Sequence, residues 1–350
     1  MESILDSTLL TIVVILTFAT LLALIRAQKR DRCLTHFDDY HVTLAEKDGQ
    51  VIWGLVEVRT SGMEISYPAP RSSKKGFWKQ SFLYYKDQYD SMDGLYRCTA
   101  GLSESQRNSR RRYLDRTANP GMFWRVYRLI RNWVGMIRDA LVQTTSLLIG
   151  AAKSRAQPTA AVLTRDEERV SSISAEIIGH AGNAYDPLLE KHLFTRVIID
   201  VTRNGKTYQY CGYLADYTAD FLEIIDAQVN ADEHHFEAKT FTPGEVPIDD
   251  LEITAEEDLL RIENETGKML LLKELRQNEE SIPIGAVIPD GFSAALRPGA
   301  DVNVENLEIV LATPDRVDML VPRSHSLVRH GVSGLNREDL EPSESTFLWD

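Results

Sequence analysis

The sequence predicts an α+β protein: an N-terminal transmembrane helix, small β-barrel-like domains, a long amphipathic helical hairpin and a C-terminal β-rich domain. Three observations lead there. Residues 7–25 form an apolar run without a charge, a proline or a glycine. Two separate regions, around residues 40 and 200, alternate apolar and polar side chains on either side of Asp-Gly and Asn-Gly turns. Between them, residues 123–148 carry apolar side chains at steps of about three and four, the period of a helix.

Composition sets the outer limits. The chain has 350 residues, 43% hydrophobic and 26% charged, which is enough for several domains and argues against wholesale disorder. A formal charge of −13 argues against nucleic acid as a partner. The charge is unevenly spread, with 107–138 strongly basic and 249–265 and the end of the chain acidic. Cys33, Cys98 and Cys211 are widely spaced and odd in number, so they fit a reducing compartment better than a disulfide framework or a metal knuckle.

Residues 1–32 are predicted to be a membrane anchor with a basic flank. The nineteen residues of 7–25 would span about 28 Å as a helix, close to the hydrocarbon thickness of a bilayer. Glu2 and Asp6 precede the run, and Arg26, Lys29, Arg30 and Arg32 follow it. That asymmetry speaks against a cleaved signal peptide and places the N-terminus outside and the remaining chain in the cytoplasm, as a single-pass membrane protein.

Residues 37–70 read as a small β-domain, with Val42 and Leu44 alternating with polar neighbours ahead of the turn at Asp48-Gly49. Residues 71–155 read as helical. Ser103 and Gln106 have the spacing of a capping box, and Asn119-Pro120 would end the helix that starts there. A second helix is expected from Pro120 to about Ala152, with Phe123, Tyr127, Ile130, Val134, Ile137, Leu141 and Leu148 on one stripe. Trp124, Arg125, Tyr127, Arg128, Arg131 and Trp133 interleave aromatic and basic side chains. They are the candidate site, a surface for anionic membrane lipid or for another subunit.

Residues 156–182 are polar and small, as in a linker. In 183–228, Asp186-Pro187 opens a short helix, Asn204-Gly205 turns a hairpin, and Gly212 stands where the second strand must bend. Residues 229–323 alternate short apolar runs with Pro, Gly and Asp and predict a further β-rich domain; residues 324–350 read as a mobile tail.

The two β segments share an order of features. Val42 to Leu44, Asp48-Gly49, Gly54 and Met63-Glu64-Ile65 follow one another as do Val197 to Val201, Asn204-Gly205, Gly212 and Leu222-Glu223-Ile224. A short helix, then a strongly bent small barrel with a glycine in its second strand, resembles the Sm-like fold over 183–228 and more loosely over 37–68. In that family an Asp and an Asn near the glycine strand read RNA bases. Thr218 and Leu222 stand at the corresponding positions here, so RNA binding is not implied. What the resemblance does imply is edge-to-edge strand pairing of such barrels into rings. Related barrels sit below the helices of small-conductance mechanosensitive channels, but a single span does not fit a pore of that design.

Candidate chemistry is sparse. His234 and His235 are adjacent, so their rings diverge and fit a solvated loop better than one metal ion. His325 and His330 are expected at the surface without acidic partners. No phosphate-binding, dinucleotide-binding, nucleophile-elbow or zinc-protease motif is present, so neither an enzyme, a cofactor nor a metal is expected. The functional expectation is a non-enzymatic, membrane-anchored scaffold that binds itself into a homo-oligomer. The alternative is a regulatory or accessory subunit of a membrane transport or envelope complex.

Overall fold

A computed structural model describes residues 30–72, 77–118, 185–203, 205–230, 238–244, 246–256, 259–277, 280–298, 304 and 307–332. Its largest unit is a ten-stranded antiparallel sheet. From the N-terminus, helix α1 (Arg32–Thr35) leads into strands β1 (His41–Glu46), β2 (Val51–Arg59), β3 (Gly62–Ser72) and β4 (Trp78–Tyr85). A 3₁₀ turn, Lys86–Ser91, then leads to β5 (Met92–Cys98), and helix α2 follows at Glu104–Ala118. The chain resumes with α3 (Pro187–Lys191), β6 (Arg196–Arg203), β7 (Lys206–Tyr217) and β8 (Phe221–Gln228).

Next comes an insert of seven strands: β9 (Lys239–Phe241), β10 (Leu251–Glu256), β11 (Leu259–Asn264), β12 (Leu270–Gln277), β13 (Glu280–Ile288), β14 (Phe292–Leu296) and β15 (Glu308–Ala312). β16 (Arg316–Pro322) and β17 (Ser326–Val332) return to the large sheet. The insert makes its own sheets, ordered β10-β11-β14 and β13-β12-β15-β9.

The large sheet runs β17-β6-β7-β8-β16-β5-β1-β2-β3-β4. Its two halves therefore repeat one plan. In each, a short helix precedes five strands whose spatial order is fifth, first, second, third, fourth, and a turn of a few residues joins the fourth to the fifth. The second half carries the insert between its third and fourth strands. Glycine marks the same place in both second strands. A Cβ on Gly54 would lie 2.0 Å from the Ser66 carbonyl oxygen, and one on Gly212 would lie 2.6 Å from Ile224 Cγ2 and 2.9 Å from Ala227 Cα. Each strand is crossed this closely only because no side chain is there.

The core follows the halves. Val42, Leu44, Val56, Val58, Ile65, Met92 and Leu95 pack in the first, joined by Phe221 and Leu320 from the second. A larger cluster unites the second half with the insert and takes in Trp53 and Tyr96 of the first. The insert reaches back to the first half: Thr43 Oγ1 accepts from the Val287 amide at 2.9 Å, and the Ser293 amide donates to the Gly49 carbonyl at 2.7 Å.

Several local expectations meet this structure directly. The Asp48-Gly49 turn joins β1 to β2. Asp186 caps α3 by accepting from the Leu188 and Leu189 amides, with Pro187 in the first turn. At α2 the Gln106 amide donates to Ser103 Oγ, and the Ser103 amide donates to Gln106 Oε1 at 3.1 Å.

The α+β architecture does not hold. The described residues are mostly strand, with four short helical segments and no long helical hairpin. Residues 71–155 contain β4 and β5 in place of the expected helix, strands hidden from periodicity because neither alternates cleanly: β4 is exposed along most of its length, and β5 is buried on both faces. α2 is not an amphipathic hairpin arm; among its described side chains it buries Arg110 and Leu114 and leaves most of the others in water. The second helix expected over 120–152 lies outside the described residues. Part of the supposed tail is β17, paired with β6. The membrane-anchored, cytoplasmic arrangement is likewise set aside. It rested on residues 7–25, which lie outside the described residues, and no helix among the described residues is long and apolar enough to cross a membrane.

Candidate functional site

The halves meet where β5 pairs with β16, Asp318 standing opposite Arg97. Asp318 is fully buried. It accepts from Arg97 Nε at 3.0 Å and Nη2 at 2.7 Å, from Arg110 Nε and Nη2 at 2.7 Å each, and from the Asp226 amide at 2.9 Å. Burial alone would raise its pKa, but Arg110 and Arg97 outweigh that and hold the carboxyl well below the usual range. Arg97 lies over the rings of Phe37 and Tyr40, 4.5 and 4.2 Å from their centroids, and donates to the His36 carbonyl.

Helix α2 fastens this seam like a bar. Its first turn is tied to the first half, where Gln106 donates to the Asp39 carbonyl at 2.9 Å. Farther along, Leu114 packs with Tyr213, Ala215 and Ile225 of the second half.

Helix α1 makes a second set of contacts across the seam, with a pair of carboxylates. Asp216 and Glu223 face each other across β7 and β8. Arg32 grips Asp216 through two nitrogens, Nη2 to Oδ1 at 2.7 Å, and also donates to the Tyr217 carbonyl. His36 Nδ1 lies 2.6 Å from Glu223 Oε2, which also accepts from the Tyr113 hydroxyl at 2.9 Å. Burial lowers the His36 pKa and Glu223 raises it; the carboxylate prevails, and the imidazole is held above its ordinary value. Cys33, within this contact, is fully buried.

A third cluster gathers on Arg203. Its Nε lies 2.7 Å from Asp93 Oδ2, and its other nitrogens donate to the hydroxyls of Tyr210 and Tyr96. His325 joins it, Nε2 lying 3.0 Å from the Asp93 carbonyl. The histidine is 10% exposed, and burial lowers its pKa. The surface position without acidic partners expected for His325 is thus corrected.

In these clusters the charged side chains meet one another and tyrosine hydroxyls. No group of three His, Cys, Asp or Glu among the described residues is placed to hold a metal ion. What remains open lies at the sheet's ends. β4 and β17 are its terminal strands. All seven exposed large apolar side chains among the described residues lie on or near these ends. Phe77 just before β4, and Trp78, Leu83 and Tyr85 on β4 stand at one, with Leu55 two strands in on β2; Leu188 on α3 and Leu327 on β17 stand at the other.

The predicted site fares differently. Trp124, Arg125, Tyr127, Arg128, Arg131 and Trp133 lie outside the described residues, as do His234 and His235. Thr218 closes the β7–β8 turn by accepting from the Phe221 amide, and Leu222 is core. Sequence reasoning missed Asp318 and Glu223. Each is a single charge inside an apolar strand, Val317 to Val321 and Phe221 to Ile225, and a lone charge in such a run calls for a buried partner. Comparison with known proteins yields no relative: no family model, no curated protein and no solved structure matches the chain.

Proposed function

We propose that this chain is a non-enzymatic scaffold of two Sm-like modules that associates with further copies of itself, head to tail, into a larger homo-oligomer. The observation that carries this is the internal seam. There the fourth strand of one module, β16, pairs with the fifth strand of the other, β5. The same two positions remain at the ends of the sheet, a fourth strand in β4 and a fifth strand in β17. A β4 edge meeting the β17 edge of the next copy would repeat the seam, and a contact between unlike surfaces propagates until it closes on itself. Exposed, apolar edge strands are templates for such pairing, and Trp78, Leu83 and Tyr85 on β4, with Leu327 on β17, supply apolar side chains there.

The mass of the purified full-length chain by light scattering, across a range of concentrations, tests the reading. A discrete mass several times 39.6 kDa is expected. Trp78→Lys with Leu83→Lys on the β4 edge should return it to the mass of one chain without changing its circular dichroism. A chain that stays single at every concentration overturns the proposal.

A further inference from the structure

The two halves correspond strand by strand, and the correspondence extends the seam beyond strand pairing. Val42 pairs with Gly54 as Val197 pairs with Gly212. Beyond one extra residue in β7, where the register shifts between Leu214 and Asp216, Glu57 faces Glu64 across β2 and β3 as Asp216 faces Glu223 across β7 and β8. The helices correspond as well. Asp31 and Asp186 cap their N-termini, and His36 and His192 close their C-termini. Counted from the N-caps, Cys33 corresponds to Leu188 and Leu34 to Leu189; α3 is one residue longer than α1, so the two histidines correspond as C-caps.

Inside the chain one carboxylate pair is filled and the other is not. Asp216 and Glu223 receive Arg32 and His36, and the helix that brings them buries Cys33 completely. Glu57 is 47% exposed and is engaged by Arg59 of its own strand. On the far end of the sheet, Leu188, the counterpart of buried Cys33, is 74% exposed. His192 lies directly against the terminal strand: a Cβ at Gly331 of β17 would come within 2.8 Å of its ring. An edge and a histidine so placed approach a neighbouring copy together.

We propose that helix α3 of a second copy docks on the Glu57–Glu64 face, with Leu188 seated as Cys33 is seated in the internal seam and His192 set against Glu64 as His36 is set against Glu223. This rests on the head-to-tail reading above and adds a second, charged contact to it. The receiving face presents two carboxylates, one of them engaged by Arg59, and α3 brings Lys191 beside His192, while its Glu190 accepts from the Tyr217 hydroxyl. Pro187 stands where α1 has Arg32, so the histidine end of the helix carries the charged contact. The occupant is another copy of this chain, since its own first half already shows how such a helix meets such a pair.

Charge exchange in the full-length protein tests the contact. Glu64→Lys and His192→Glu should each weaken self-association at least about tenfold, read from the concentration dependence of mass. The double variant, carrying both changes in each chain, should recover most of it. As a second measurement, a mixture of Leu188→Cys and Glu64→Cys chains should form disulfide-linked pairs under diamide, and neither should do so alone beyond the wild-type background. Glu64→Lys with wild-type self-association, a double variant that stays weak, or the absence of cross-linking overturns helix docking. If the Trp78→Lys/Leu83→Lys protein nevertheless dissociates, the strand-paired assembly stands without it. A wild-type chain that remains single overturns both.

Discussion

Removing Asp318 would leave two guanidinium groups, Arg97 and Arg110, facing one another where water does not reach. Breaking a buried charge cluster from that side typically costs about 3–5 kcal/mol. Asp318→Ala should therefore lower stability by that order in urea denaturation, more than Arg32→Ala at the half-exposed Asp216 pair. Mild acid should leave this cluster intact. A carboxyl held below its unfolded value contributes fully above that value, and the contribution declines below it until pH has fallen through the folded one. His36 has the opposite sign. Its pKa is raised above 6.5, so the stabilisation from Glu223 is fully present below 6.5 and disappears as pH rises through the higher folded value. Thermal melts from pH 6 upward should show this loss, and Glu223→Gln should abolish it. A slope unchanged by Glu223→Gln would sink the assignment. At this scale the sequence was readable where a residue acts on its neighbours, as with Asp186 or Ser103. It was silent where the partner is remote: Arg97 and Asp318 are 221 positions apart.

Among the elements, the legible ones carry local signals. The Asp48-Gly49 hairpin, the α2 capping box and the Asp186-Pro187 helix start each depend on two to four adjacent residues. The order of the sheet depends on strands that give no such sign, since β5 is buried on both faces and β16 and β17 are separated from their module by the insert. Gly212 was singled out from sequence as a bend. The structure supplies the reason in the close passage of Ile224 and Ala227, beside a shift of register between β7 and β8. Gly212→Val should destabilise the protein by about 1–3 kcal/mol, the usual range for forcing extra carbons into a packed place. Differential scanning calorimetry that finds an unshifted midpoint would contradict it.

For the whole molecule, two segments that read as separate small domains prove to be parts of one continuous sheet. The segment between them begins with two more of its strands. Several devices bind the halves: the β5–β16 ladder, helix α2 lying across it, the contacts of α1 with Asp216 and Glu223, the Arg203–Asp93 pair, and the insert of the second half resting on the β1–β2 hairpin of the first. None of these could be read from periodicity, because each joins places far apart in the chain. The apolar residues left exposed at the two ends of the sheet are where the proposed self-association is to be tested.

The insert interrupts only one of the two halves, and this has a consequence for counting. Every copy contributes one plain module and one decorated module, fused in fixed order. A closed circle of such copies therefore contains an even number of modules whatever its size, and odd closures are arithmetically out of reach. Around its rim, plain and decorated modules alternate, so its rotational symmetry is half of what the number of modules alone would allow.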